Sequence, residues 1–197
     1  MPADVQATEG SSDAGECQEM TLAQLDLANK SRVEVQQSIG QIEAAKARKK
    51  DYTTALNAAR RLQRCNVVHG HASPADYARA VAECKHALAG QGILSAWLLK
   101  FCKSHGIQVE TPATGDDMPV DTWSDALNKL QMLQVLNGVC DEARISMPVS
   151  ENKVTNMEEW ERVVACLQNR LNSIGMEIQA KMEQLQNLMG QYDSYTK

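Results

Sequence analysis

The chain has 197 residues, of which 43% are hydrophobic, and a formal net charge of −5. This length allows one hydrophobic core with extensions, and the acidic balance argues against nucleic acid or an anionic membrane as the partner. No segment approaches the roughly 20 apolar residues that span a bilayer. The N-terminus lacks the basic start and apolar stretch of a signal peptide, so neither a direct membrane span nor Sec-type export is expected.

Residues 1–20 are rich in small and acidic residues and show no hydrophobic periodicity, which predicts a disordered N-terminal segment. Order is expected to begin at Thr21, because Gln24 follows it at the spacing of a capping box. From Thr21 to Arg64 the sequence contains no proline and a single glycine, Gly40. We therefore predict a long N-terminal helical arm over residues 21–64.

Apolar residues recur in this arm at steps of three and four, which places them on one helical face. They are Val35, Ile39, Ile42, Ala45, Tyr52, Leu56, Ala59 and Leu62. The segment 46–51 interrupts this face, so a bend or looser contacts are expected there. A helix of about 40 residues is roughly 60 Å long and requires an equally long partner.

The predicted partner is a C-terminal arm over residues 154–197. Thr155 and Glu158 have capping-box spacing, and no proline follows them. One position of the heptad repeat holds Val164, Leu171, Ile178, Leu185 and Tyr192. The other apolar position holds Trp160, Leu167, Ile174, Lys181, Leu188 and Tyr195. Apolar residues at both positions over this length indicate coiled-coil packing.

The fold class predicted from these patterns is all-α. The N- and C-terminal helices are expected to form a long antiparallel coiled-coil hairpin, with a small helical domain from residues 65–153 inserted between them. An antiparallel pair brings the basic end of the first arm near Glu158, Glu159 and Glu161. A specific charge pairing and a simply solvated basic face are both open interpretations.

Shorter helices are predicted in the inserted region. Ser73-Pro74 is a favoured helix start, and Gly90 or Gly92 is the expected end. A second helix is predicted over 93–105, and a loop over 107–120 because that segment holds three Pro or Gly residues. A third helix is predicted from Asp121 or Thr122 to a point before Pro148.

Signatures of catalysis are missing from the sequence: it has no glycine-rich phosphate loop, nucleophile elbow or HExxH motif. Cys65, His69, Cys102 and His105 have spacings that would allow a structural zinc site, but they lack a CxxC knuckle. Buried thiols and surface histidines are the favoured alternative. We therefore expect no catalytic residue, no metal and no cofactor, and the six scattered cysteines are expected to be reduced thiols.

The apolar stripe of the C-terminal arm is wider than a two-helix contact needs. It includes Met176, Met182 and Met189 beside the heptad positions, so apolar surface remains for a third helix or another subunit. The favoured hypothesis is self-association. The alternative is a bundle in which the middle helices cover the stripe.

Both arms resemble a known family. The segments LDLANKSRVEVQQSIGQIEAAKARKKDYTTALNAARRLQ (25–63) and NMEEWERVVACLQNRLNSIGMEIQAKMEQLQNLMGQYDSY (156–195) resemble the coiled-coil arms of EspA/SseB-like type III secretion filament proteins. The related needle-tip proteins share the plan of two long terminal helices that flank an insert. The middle of the chain carries no such resemblance.

The resemblance implies a secreted bacterial structural protein that leaves the cytoplasm through the needle by means of its N-terminus. It implies self-association into an extracellular tip or filament, a dedicated secretion chaperone, and contact with needle and translocator proteins. The competing hypothesis is an intracellular helical adaptor or type III secretion chaperone that binds a partner through the same hairpin.

Overall fold

The computed structural model describes residues 21–90, 94–111 and 119–197, and these form five α-helices and no strand. The helices are α1 (Leu22–Arg64), α2 (Pro74–Leu88), α3 (Ala96–Ser104), α4 (Val120–Ala143) and α5 (Lys153–Thr196). The all-α prediction is confirmed. The predicted disordered segment 1–20 and the middle of the predicted loop, 112–118, lie outside the described residues.

The two longest helices, α1 and α5, make the most extensive contact in the chain. Lys181 Nζ lies 3.0 Å from Gln41 Oε1, and Arg60 Nη2 lies 3.2 Å from Gln168 Oε1. Residue numbers therefore rise along α1 as they fall along α5, which is the order of a helical hairpin. Helix α1 continues through residues 46–51, and all six of these residues are exposed.

Two of the predicted helix starts are confirmed with their capping geometry. Thr21 Oγ1 accepts from Gln24 N, while the Gln24 side chain accepts from Thr21 N at 2.9 Å. Ser73 forms the same reciprocal pair with Asp76, and Pro74 is the first residue of α2. Each box satisfies backbone N–H groups that have no partner within the helix.

The predicted start of α5 is wrong. Asn152, not Thr155, is the N-cap residue: Asn152 Oδ1 accepts from the backbone N–H groups of Val154 and Thr155 at 3.0 and 3.2 Å. Asparagine is among the strongest N-cap residues, and its single side-chain oxygen here binds two free donors. Thr155 is consequently already helical and exposed.

The middle helices pack on the hairpin and share its core. Helix α4 contacts both α1 and α2, and α3 is held against α2. One continuous cluster of buried side chains includes Leu62 of α1, Tyr77 of α2, Trp123 of α4 and Trp160 of α5. The cluster extends along α5 only as far as Ile174 among its buried members, so the hairpin has a packed base and an outer half that the middle helices do not cover.

Candidate assembly surface

Burial at one of the two heptad positions of α5 changes between the base and the outer half. At the base, Trp160 and Leu167 are completely buried. Beyond Ile174, Leu188 and Tyr195 at that position are only half-buried. The other position is half-buried along the whole helix, at Val164, Leu171, Ile178, Leu185 and Tyr192. We call residues 22–45 and 175–197 the outer hairpin. Its apolar contact is incomplete within one chain.

The cause is the size of the residues that α1 presents to α5. In the outer hairpin its buried positions hold Ala28, Ser31, Ser38, Ile42 and Ala45, and four of these five side chains are no larger than serine. A serine or alanine cannot cover a leucine or tyrosine on the facing helix. The large α5 side chains therefore keep part of their apolar surface in water.

Ile39 does not occupy the contact face predicted for it. Its side chain is 45% exposed, and Ser38 is buried instead. Ser31, Ser38 and Ala45 recur every seven residues among the buried positions of α1, and Ile39 lies one residue beyond Ser38. It thus lies on the flank of the outer hairpin.

The other predicted assembly residues are buried or half-buried. Ile42, Leu56, Trp160, Leu167 and Ile174 are buried. Those that remain half-buried are Val35, Val164, Leu171, Ile178, Leu185, Leu188, Tyr192 and Tyr195. The heptad positions predicted for α5 therefore match the observed burial. The role of these residues in self-association stays a prediction.

Exposed apolar side chains concentrate on the outer hairpin. On α1, Leu22 is 81% exposed, and on α5, Met176 is 75% exposed. The same group includes Leu25, Leu27, Val33, Ile39, Met182 and Met189. Methionine is flexible and polarisable, which suits it to irregular contact surfaces. The outer hairpin thus combines a half-covered contact with further apolar residues beside it.

Charges between the two long helices do not show a specific ion pairing at the start of α5, which was one of the two open interpretations. The ion pair observed between α1 and α5 joins Arg48 to Glu177 at 2.8 Å, well away from the start of α5. Glu159 instead accepts from the backbone N–H groups of Val149 and Ser150, at 3.0 and 3.1 Å. Among the described residues, no ion pair involves Glu158 or Glu161.

At the opposite end of the hairpin, a hydrogen-bonded junction connects all five helices. Trp160 Nε1 donates to the Val67 carbonyl at 2.8 Å, and Val68 N donates to the His105 carbonyl at 3.0 Å. His69 N donates to the Pro148 carbonyl at 2.7 Å. The segment after α1 is thereby tied to α3, to the connection before α5, and to α5 itself.

Polar side chains complete this junction. The Tyr77 hydroxyl donates to the His69 carbonyl at 2.7 Å and lies 3.0 Å from His105 Nε2. His105 Nδ1 lies 2.7 Å from the Phe101 carbonyl oxygen, and His69 Nε2 lies 2.6 Å from Asn137 Oδ1. The sequence analysis missed this network because its members are far apart in the sequence.

Burial shifts the pKa values of His69, Tyr77 and His105. Desolvation lowers the pKa of His105 below its ordinary value of 6.5 and outweighs the opposing hydrogen bond to Phe101. Desolvation likewise lowers the pKa of His69 and raises that of Tyr77. Neutral histidines therefore fit the junction, which ties the segment after α1 to the other helices.

Thiols and histidines are dispersed in the described part of the chain. Cys102 and His105 are buried, so His105 is not the surface histidine that was expected, while Cys65 is exposed. Burial raises the pKa of Cys84 to about 11 and that of Cys102 to about 12. Across residues 21–90, 94–111 and 119–197, no group of three or more His, Cys, Asp or Glu side chains is placed to hold a metal ion.

Comparisons with known proteins identify no relative: no family model matches the sequence, and neither a curated protein nor a solved structure shows significant similarity to it. None of the described helices is both long and apolar enough to cross a membrane.

Proposed function

We propose that this chain is a secreted structural component of a bacterial type III secretion system. In this proposal it forms the extracellular needle tip or filament by self-association and links the needle to the translocon. It acts as a building unit and not as an enzyme.

The observation that carries the proposal is the half-covered apolar contact of the outer hairpin. Leu185, Leu188 and Tyr192 keep apolar surface that the small α1 residues leave in water. A contiguous exposed apolar surface of this kind is typical of a protein–protein interface. Further helices from other subunits would complete it as a multi-helix bundle.

The two terminal helices are proposed to pack as an antiparallel coiled coil. Support comes from the unbroken run of buried or half-buried heptad positions from Trp160 to Tyr195 and from the hairpin order of the contacts. The resemblance of both arms to EspA/SseB-like filament and needle-tip proteins supports the secretion assignment.

The partners follow from the same resemblance. They are other copies of the chain, a cognate secretion chaperone that prevents assembly in the bacterial cytoplasm, and the needle and translocator proteins outside. Residues 1–20 are the proposed export segment. Neither nucleic acid nor a direct membrane span is part of the proposal.

Export is tested by measuring the protein in culture medium and in cells, with and without a functional injectisome. The proposal predicts injectisome-dependent accumulation in the medium and loss of that accumulation when residues 1–20 are removed. Protein that stays in the cytoplasm of secreting cells would contradict it.

A second candidate function uses the same exposed stripe. An intracellular helical adaptor or secretion chaperone would cover the half-buried Leu185 and Leu188 with a partner's helix instead of another copy. Retention in the cytoplasm as a stable one-to-one complex with a secreted protein would favour this alternative.

Assembly is tested by introducing a charge into the contact. Replacing Leu171, Ile178 or Leu185 with Glu is predicted to abolish assembly or solubility, because an unpaired carboxylate would be buried between helices. Gln186→Glu is the matched control, since Gln186 is exposed next to Leu185. Ordered polymers formed by the Leu185→Glu variant would contradict the proposal.

A further inference from the structure

One face of α5 in the outer hairpin alternates half-buried side chains with exposed methionines. Steps of four and three residues lead from Ile178 through Met182, Leu185 and Met189 to Tyr192, which places all five on one helical face. Ile178, Leu185 and Tyr192 are half-buried, whereas Met182 is 47% and Met189 is 51% exposed. We call these five residues the methionine row.

Two other methionines of the described chain each differ from this pair in one property. Met176 is more exposed, at 75%, but nine residues separate it from Leu185, which corresponds to about 180° around the helix. Met176 therefore lies on the side of α5 opposite the methionine row. Met147, in the connection before α5, packs in the shared core and is only 9% exposed. The chain thus offers an exposed methionine outside the row and a buried one for comparison.

The thioether sulfur of an exposed methionine reacts directly with a peroxide. Its lone pair attacks one oxygen of hydrogen peroxide, so that an S–O bond forms as the O–O bond breaks. The departing hydroxide takes the proton from the transferred oxygen and leaves as water. Sulfur is oxidised by two electrons to the sulfoxide, and the peroxide is reduced by two. A flexible apolar side chain is thereby converted into a polar one.

We propose that Met182 and Met189 are modification sites, and that their oxidation to methionine sulfoxide by a peroxide blocks self-association through the outer hairpin. This inference rests on the proposed self-association. Both methionines lie one helical turn from the half-buried Leu185, so each sulfoxide oxygen would stand beside apolar surface that assembly has to bury. Burying the row would then strip water from two polar groups, which keeps oxidised chains apart.

The position of the two methionines makes the modification depend on the state of assembly. An assembly that covers the methionine row shields Met182 and Met189 from peroxide, whereas Met176 on the opposite side of α5 reacts in both states. Unassembled chains are therefore the form that is modified at the row. Enzymatic reduction of the sulfoxides regenerates the thioethers and returns the chain to its assembling form.

Treatment of the full chain with hydrogen peroxide tests this assignment, with peptide mass spectrometry and sedimentation velocity as the measurements. In the monomer, Met176, Met182 and Met189 are expected to be oxidised faster than the buried Met147. Oxidation of Met182 and Met189 is expected to raise the concentration at which half of the chains assemble at least about tenfold, because both sulfoxides lose water on burial. Methionine sulfoxide reductases for the two epimers should restore assembly.

Leucine variants identify the sulfur atoms that matter. Leucine is similar to methionine in volume and is not oxidised by peroxide, so Met182→Leu/Met189→Leu should assemble as wild type both before and after treatment. Met176→Leu is the matched control and should lose assembly after treatment, as the wild-type chain does. Both variants keep all six cysteines, so thiol oxidation does not explain a difference between them. Met182→Gln/Met189→Gln, which introduces polar groups at the same positions, should assemble weakly without peroxide.

Three results would overturn this assignment alone. They are normal assembly of a wild-type chain with both methionines oxidised, loss of assembly in peroxide-treated Met182→Leu/Met189→Leu, and loss of helical content by circular dichroism at the same degree of oxidation. A wild-type chain that is monomeric before treatment would overturn the proposed self-association, and this inference with it. A chain that assembles and responds to peroxide but is never released by the injectisome would overturn the secretion role alone.

Discussion

Truncating one leucine at the base and one in the outer hairpin separates folding from assembly. Leu167 is completely buried at the base of α5, whereas Leu185 is half-buried in the outer half. Both occupy heptad positions of the same helix, so helix propensity is matched between Leu167→Ala and Leu185→Ala. The two variants should differ because of burial alone.

The expected magnitudes follow from that burial. Leu167→Ala leaves a cavity in the shared core and should lower the free energy of unfolding by about 2–5 kcal/mol. Leu185 keeps part of its side chain in water, so Leu185→Ala should lower the free energy of unfolding by less, about 1–2 kcal/mol. At about 2–4 °C per kcal/mol for a chain of this length, the melting temperature should fall much more for Leu167→Ala.

The assay is thermal unfolding by circular dichroism at a concentration where the chain is monomeric, together with light scattering at high concentration. Leu185→Ala should weaken self-association, because assembly would bury the part of that side chain that one chain leaves exposed. Leu167→Ala should leave self-association of the folded fraction unchanged. Equal destabilisation of the monomer by both variants would refute the reasoning, since it would mean that Leu185 is already covered within one chain.

Three further predictions concern local features. Asn152→Ala should lower the free energy of unfolding by about 1 kcal/mol, because the α5 N-cap is lost. Thr155→Ala should change the free energy of unfolding by less than about 0.5 kcal/mol. Urea unfolding measures both values, and a larger loss for Thr155→Ala would contradict the capping assignment. Because the folded pKa of His105 lies below its ordinary value of 6.5, the unfolded chain binds more protons as the pH falls through 6.5. The urea midpoint should therefore be highest above pH 6.5 and decrease below it. The variant His105→Gln should show a weaker dependence of the midpoint on pH. An unchanged pH profile in this variant would count against a buried neutral His105. Alkylation of the native protein should modify the exposed Cys65 and leave Cys140 unmodified, because burial raises the pKa of the Cys140 thiol to about 12. Mass spectrometry detects the modified sites. Rapid labelling of Cys140 would contradict this prediction and show that the core opens.

The sequence predicted a helix start correctly where a single candidate N-cap residue preceded the helix. Thr21 forms the capping box that its spacing to Gln24 indicated, and Ser73 caps the helix that begins at Pro74, as the Ser-Pro pair indicated. The start of α5 was mistaken because Asn152, three residues before Thr155, is a stronger cap whose effect a capping-box search does not detect. Two helix-start signals close together cannot be ranked from spacing alone.

Hydrophobic periodicity worked on α5 and only partly on α1. The α5 heptad is marked by large apolar residues, and their burial follows it from Trp160 onwards. In the outer half of α1 the buried positions are occupied largely by serine and alanine, so the apolar Ile39 was taken for a contact residue in place of Ser38. Small residues carry little hydrophobic signal, although their size is what leaves α5 half-covered.

The junction could not be predicted from the sequence. His69, Tyr77 and His105 meet only because three helices converge, and Lys49 lies beside Gly175 and Met176 of α5 only through the register of the hairpin. Charge patterns in the separate helices were visible beforehand. Their relative placement required the packed structure.

The most direct measurement of the central claim is the size of the protein recovered from culture medium of injectisome-competent cells, compared with the Leu185→Glu variant. Sedimentation should show ordered assemblies for the wild-type chain and monomers for Leu185→Glu, with the Gln186→Glu control behaving as wild type. A wild-type chain that is monomeric in the medium, or a Leu185→Glu variant that assembles equally well, would contradict the claim that the outer hairpin builds the extracellular assembly.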